Sequence, residues 1–320
     1  MMIQQFSKYN WYKISWILTV EVGVIIIIAS FFLPGGEDLH RFYLPFIHGC
    51  LDCGFVPFFA QWVLWPLSFV PPYLAWPVWT TISIAGLMSL CWYTKVNPLL
   101  VILSFPALGQ FWLGQIDILI GTGLVIGLLA ANPYVRGVGI VLALIKPQIA
   151  ALAVLILLIH QPRRKVIKVL TLPFVAMIAS FIVYGLNWPI EWLTNSLNTL
   201  PMHQWRLASR DIWPYGVILI LAVFLIRPLR PRFEATLLIS ALATPFFGVY
   251  SYLVFLLFRA PWWTLPLSYA WILMYPAWGR SAMRLAWVLP VGLLGYLFYT
   301  ERLQGKDGLA NDTNPSSPTF

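Results

Sequence analysis

The sequence predicts an all-α, polytopic membrane protein, and three observations carry that prediction. Of the 320 residues, 60% are hydrophobic and only 10% are charged. Soluble domains average about 45–50% apolar and about 25% charged residues, so this chain has too few charges to cover a water-facing surface. The mean hydropathy is +0.80. Apolar runs recur along the chain, and at about 20 residues per crossing they set the count at about 9–11 transmembrane helices. A soluble enzyme, a secreted disulfide scaffold, a disordered chain and a large extramembrane domain are all excluded. The expected organisation is one transmembrane domain over 1–304 and an Asn/Asp/Ser/Pro-rich tail, 305–320, read as disordered.

Apolar runs and their Gly/Pro punctuation place the elements in order. A first helix covers about 14–33; it is too long for a signal h-region and has no small-residue cleavage site, so it reads as an anchor. A polar loop follows at 34–57, with a short interfacial helix around 40–50. Residues 58–70 form a short apolar segment ended by Pro71-Pro72. Helices are expected over 73–94, 98–113, 115–132, 137–160 and 166–186. A second loop, 187–213, is rich in Trp. Helices resume over 214–226, 233–258, 263–278 and 284–299. The segments 58–70 and 98–113 are short and Pro-interrupted, so either can be re-entrant. No internal repeat is visible.

The net charge is +9, from 20 Lys+Arg against 11 Asp+Glu. In a membrane chain this excess reads as the cytoplasmic enrichment of basic residues, not as a nucleic-acid surface. The basic clusters are Arg163-Arg164-Lys165 with Lys168, Arg227/Arg230/Arg232 and Arg280/Arg284. Glu37, Asp38 and Asp52 fall in the first loop, and Glu191 and Asp211 in the second. A cytoplasmic N-terminus, followed by alternation, puts every basic cluster inside and both acidic loops outside. The expected location is therefore the cell membrane, multi-pass.

Ionisable groups inside a bilayer are costly, so each needs a partner or a role. Glu21 sits in the middle of the first helix and reads as protonated or paired with another helix. Lys146 lies mid-helix before Pro147, a helix break that suits an anion, a polar cavity or a structural partner. Asp117 follows Gly114-Gln115 at a helix start, where capping is a sufficient explanation. Glu37 and Asp38 follow Gly35-Gly36 just after the first helix; they are either solvated loop charge or a general base at the membrane surface. His203, Arg206 and Arg210 in the second loop can hold a phosphate, or can simply be solvated. Cys50 and Cys53 form a CxxC beside His40 and His48. Plain packing is its first reading, an outer-loop disulfide the second and a zinc-type ligand set the third.

Three stretches together resemble glycosyltransferase family 87, membrane glycosyltransferases of the GT-C fold described as polyprenyl-phosphate-mannose-dependent mannosyltransferase-like. The first is Asp38-x4-Tyr43, followed by Gly54-Phe55-Val56-Pro57 and the Leu/Trp/Pro-rich run from Trp62 to Pro72. The second is Gly114-Gln115-Ile116-Asp117, followed by Arg136-Gly137-Val138 and Leu144-Ile145-Lys146-Pro147. The third is Ala243-Thr244-Pro245 through Tyr250-Ser251-Tyr252. The chain departs from the family pattern in carrying Asp at 117, where Asn is usual, and in lacking a His before the late Tyr.

The resemblance implies a GT-C-like bundle that moves a hexose, mannose first, from a polyprenyl-phosphate donor to an acceptor hydroxyl of a lipid or glycan at the outer face, with inversion. Asp38 is then the general base, with Glu37 the neighbouring alternative. Tyr43, Gln115, Asp117, Lys146, His203, Arg206, Arg210 and Tyr250 are the expected substrate-binding residues. No metal or other cofactor is expected, because protein cations can neutralise a lipid-phosphate leaving group. The partners are the donor, the acceptor and membrane lipids. A polytopic transporter or lipid flippase is the alternative, suggested by Glu21 and Lys146-Pro147 and opposed by the missing repeat.

Overall fold

The computed structural model describes the backbone of residues 2–199, 212, 215–244 and 247–312, and the side chains of 11–198, 212, 215–244 and 247–302. Every regular element among them is helical. The principal helices are α1 (Met2–Phe32), α2 (Pro72–Thr94), α3 (Phe105–Leu113), α4 (Asp117–Leu129) and α5 (Pro133–Ala143). They continue with α6 (Pro147–Ile159), α7 (Arg163–Tyr184), α8 (Trp188–Thr199), α9 (Leu229–Ala243) and α10 (Val288–Asp312). Among the described residues, four stretches are long and apolar enough to cross a membrane: Trp11–Phe32, Pro72–Thr94, Arg163–Tyr184 and Ala270–Arg302. The chain is thus an all-α polytopic membrane protein. Shorter apolar helices lie between them, including α4, α5, α6 and Tyr215–Leu225.

Several expected helices are broken, each for a local chemical reason. The run 98–113 divides into Pro98–Ile102 and α3. Asn97 caps the first, its side chain accepting from Leu99 N at 3.0 Å, and Ser104 caps the second. The run 137–160 divides into α5 and α6, because Pro147 forces the residue before it out of the helical region. Lys146 has φ −127° and ψ 80°, and so stands at a helix end, not in mid-helix. The Ala143 carbonyl that Pro147 cannot reach accepts from Lys146 N at 3.4 Å instead. The run 233–258 ends as α9 at Ala243; Thr244, which precedes Pro245, is extended, and short turns over Val249–Tyr252 and Leu253–Leu256 follow. Within the second loop, Trp188–Thr199 is helical, its first turn closed by Asn187 O accepting from Ile190 N and Glu191 N at 3.0 Å each.

Glycine lets the helices around the break come into backbone contact. A Cβ on Gly123 of α4 would lie 2.4 Å from Ala143 N, and one on Gly139 of α5 would lie 2.6 Å from Gly123 O. On another face of α5, a Cβ on Gly137 would lie 2.6 Å from Val169 O of α7. Small residues of this kind are what permit close helix packing where lipid supplies no hydrophobic drive between helices. Helix α9 is buried continuously from Phe233 to Leu242. Its one acid, Glu234, is held by Arg230 at 3.1 Å and Arg259 at 2.6 Å, which satisfies a charge that burial would otherwise make costly.

The two acidic loops meet. Asn195 Nδ2 of α8 donates to Asp52 Oδ1 at 2.6 Å, and Tyr184 Oη donates to Gln61 Oε1 at 2.7 Å. Trp188 packs against Phe58, Phe59 and Phe181. Cys50 and Cys53 are joined in a disulfide, which corrects the packing reading and removes both thiols as metal ligands.

The Gly139 contact makes a stability prediction. Gly139→Ala should destabilise the purified protein by about 1–3 kcal/mol, because the new methyl meets backbone that cannot step aside. Gly295→Ala, where a Cβ meets nothing within 4 Å, should stay within about 0.5 kcal/mol of the parent. Thermal unfolding of both variants in the same detergent provides the comparison.

Candidate functional site

Three interruptions in the helical run meet at one place inside the bundle: the turn after α1, the turn between α3 and α4, and the break between α5 and α6. The first two are held together by glycine. Gly114 ends α3 with φ +68°, and a Cβ there would lie 2.7 Å from Leu39 Cβ and 3.3 Å from Gly36 Cα. Gly36, at φ +70°, donates its N–H to Trp112 O at 2.7 Å. A side chain at either position would be strained in the left-handed region and would push the turns apart. The close approach sets the Leu39–Tyr43 segment, a wide π-helical turn, directly over the α3–α4 turn.

Gln115 is the hub of what results. Its side-chain Oε1 accepts from Tyr43 Oη at 2.8 Å and from Lys146 Nζ at 2.8 Å. With the oxygen so occupied, Nε2 is left to donate, and it donates to Asp38 Oδ2. Its backbone carbonyl accepts from Trp79 Nε1 at 2.8 Å and from Gln110 Nε2. Lys146 reaches the hub because the Pro147 break turns it inward. There it also ion-pairs with Asp117 Oδ1 at 2.9 Å and stands 5.1 Å from the Tyr250 ring centroid. Ser251 Oγ donates to the same Asp117 oxygen at 3.2 Å. Asp38, Tyr43, Gln115, Asp117 and Lys146 are all buried, none more than 5% exposed.

Asp117 is not used as a helix cap; Ile116 holds the cap position, and the carboxylate serves Lys146 and Ser251. Asp38 stands at the start of its helical turn without capping it, so its carboxylate is directed to Gln115. Tyr43 is buried beside Tyr250 and both carboxylates. Burial first, then the charges of Tyr250, Asp117 and Asp38, push its phenol well above the ordinary value. It therefore stays protonated and remains a donor across the neutral range.

Against one side of this cluster lies an apolar cavity of about 630 Å³. Ile25, Leu33, Trp76, Trp112 and Tyr250 are among its lining residues. Tyr250 is shared: one part of it faces the Lys146 ammonium and another faces the cavity. The Lys146 ammonium thus stands one aromatic ring away from a space suited to an apolar chain.

Of the residues singled out from sequence, Asp38, Tyr43, Gln115, Asp117, Lys146 and Tyr250 come together here. Glu37 does not: its side chain is 51% exposed and lies 3.8 Å from Arg41. His203, Arg206 and Arg210 fall outside the described residues. Gln110, Ser251, Trp76 and Trp79 were not anticipated. The Trp pair carried a readable signal, since residues three apart on α2 share a face; Gln110 and Ser251 carried none beyond adjacency to Gln115 and Tyr250.

The family model for glycosyltransferase family 87 matches residues 56–213. That stretch, just under half of the chain, matches the family, and the match supports a membrane glycosyltransferase. The matched stretch holds Gln115, Asp117 and Lys146, whereas Asp38, Tyr43 and Tyr250 are brought to them from outside it. No curated protein and no solved structure matches the chain.

The Lys146–Asp117 pair can be tested apart from activity. Lys146→Met should cost about 3–5 kcal/mol, because it leaves the Asp117 charge buried without its counter-ion. Lys146→Met combined with Asp117→Asn should recover most of that loss. Parallel chemical or thermal denaturation of the two variants measures the difference, and equal losses would mean the pair is not coupled.

Proposed function

We propose that this glycosyltransferase uses a polyprenyl-phosphate sugar as donor and transfers the hexose, mannose first, to an acceptor hydroxyl with inversion, with Asp38 as general base. The observation that carries the proposal is a buried, hydrogen-bonded carboxylate in a polar cluster that borders an apolar cavity of about 630 Å³ through the Tyr250 ring. The cavity suits the polyprenyl tail, and the polar cluster suits the sugar–phosphate junction at its end.

The step balances in a single displacement. Asp38 takes the proton from the acceptor hydroxyl as its oxygen attacks the anomeric carbon. The bond from that carbon to the phosphate oxygen breaks, and the polyprenyl phosphate leaves with the electron pair. Attack from the face opposite the leaving group inverts the anomeric centre. Gln115 positions the base: Tyr43 and Lys146 hold its oxygen, so its N–H group can point only towards Asp38.

Lys146 supports the departing phosphate through the field of its ammonium rather than as an unpaired cation, since Asp117 already neutralises it at 2.9 Å. Asp117 occupies a position where the family usually has an amide, which leaves this chain less positive charge at the hub. His203, Arg206 and Arg210 are the remaining candidates for the phosphate. The N-terminus on the cytoplasmic side would put the two touching loops, and with them the acceptor, at the outer face.

Purified protein in lipid, given a panel of polyprenyl-phosphate sugars, should release polyprenyl phosphate from one of them and form a product of opposite anomeric configuration. Asp38→Asn should lower that rate by roughly 10²–10⁴-fold, with the melting curve unchanged. Transfer from a nucleotide sugar alone, retention at the anomeric carbon, or full activity of Asp38→Asn would each refute the corresponding part of the reading.

A further inference from the structure

Between Ile14 and Phe32, helix α1 carries its hydroxyl residues on the inside and its one acid on the outside. Ser15, Thr19 and Ser30 are buried against the bundle, each hydroxyl satisfied by a backbone carbonyl one turn back. Glu21 is exposed and lies at the middle of the Trp11–Phe32 span. At about 1.5 Å rise per residue it stands about 15 Å from either end, at the centre of the hydrocarbon layer. It makes no hydrogen bond or ion pair with the described residues. A lone carboxyl facing lipid at that depth is costly, so something must meet it.

The residues around it indicate what. The exposed face of α1 is broad and also holds Leu18, Val20 and Ile25; along its middle Ile14, Ile17, Val24, Ile28 and Phe31, with Glu21, follow one another at alternating steps of three and four. That mean spacing of about 3.5 residues is the seam of a helix that packs along its length on a parallel partner. Most of the α1 residues that line the apolar cavity, Ile26, Ala29, Ser30 and Leu33, lie on another side of the helix, and Ile25, next to the stripe, marks the edge between the two faces. Two copies of one chain insert in the same orientation, so a two-fold axis along the membrane normal brings Glu21 against Glu21 at equal depth. A protonated carboxyl has one donor and spare acceptor sites, so two of them satisfy each other without a cation. The facing helix offers none, because α1 has no Lys or Arg between Ile14 and Phe32.

We infer that the exposed face of α1 is the seam of a parallel homodimer, registered by a hydrogen bond between the two Glu21 carboxyl groups. The inference is independent of the donor and of the role of Asp38.

The full-length chain, labelled in two colours and reconstituted in liposomes, should show energy transfer that falls as lipid dilutes the protein. Glu21→Leu should shift the half-dissociation point by about tenfold toward higher protein density. Glu21→Gln, whose amide also donates and accepts, should stay close to the parent. Oxidative cross-linking should join copies through Ile17→Cys or Ile28→Cys and not through Ile182→Cys, an exposed position on α7. Native Cys91 is buried, and Cys50 and Cys53 are already paired, so they do not interfere. A monomer at every lipid ratio, or a dimer unaffected by Glu21→Leu, would overturn the inference. So would a Gln variant that dissociates as readily as the Leu variant, because that outcome demands a cationic partner from another chain.

Discussion

The Gln115 amide is gripped at its oxygen by a phenol and an ammonium, at its nitrogen by a carboxylate and at its backbone carbonyl by an indole and a second amide. Inside an apolar bundle no water competes for these groups, so each must find its partner in the protein. That requirement explains why the surrounding helices stop where they do. A continuous helix consumes its own backbone groups and points its side chains outward in rotation. Only at a break can a backbone carbonyl and several polar side chains be turned to one point. The turn after α1, the Gly114 turn and the Pro147 break each place such a break at the hub.

Charge is handled in the same way at two separate sites. At the hub, Lys146 is paired with Asp117 and bonded to Gln115. On α9, Glu234 is clamped between Arg230 and Arg259. Both arrangements obey the rule that a buried charge survives only when its counter-charge and hydrogen bonds are supplied. They differ in surroundings. Glu234 is buried but its arginines reach toward the surface and none of the three lines the apolar cavity, whereas the Lys146 cluster touches that cavity through Tyr250. Proximity to open apolar space separates the group suited to chemistry from the group suited to holding helices together.

The contact of the two acidic loops links fold to function. Asp52–Asn195 and the packing of Trp188 on Phe58 and Phe59 tie α8 to the segment that follows the first loop. The Cys50–Cys53 disulfide stiffens that segment.

Membrane class, the first apolar helix and the Pro147 break were legible in the sequence, because apolar length and Pro chemistry act locally, whereas the division of 98–113 at Ser104 and the end of α9 at Ala243 were not read from it. The polar members of the hub were legible as residues that do not belong in lipid. Their mutual arrangement was not. Hydrogen bonds across 72 and 77 positions, from Gln115 to Tyr43 and to Asp38, have no local signature. Asp117 read as a cap because a helix start explains an acid by itself; only the inward turn of Lys146 gave it a different partner. Glu37 and Asp38 are adjacent and chemically alike, and composition cannot separate them. The tertiary structure does, by pressing Gly36 against the Gly114 turn, which buries Asp38 and leaves Glu37 at the surface.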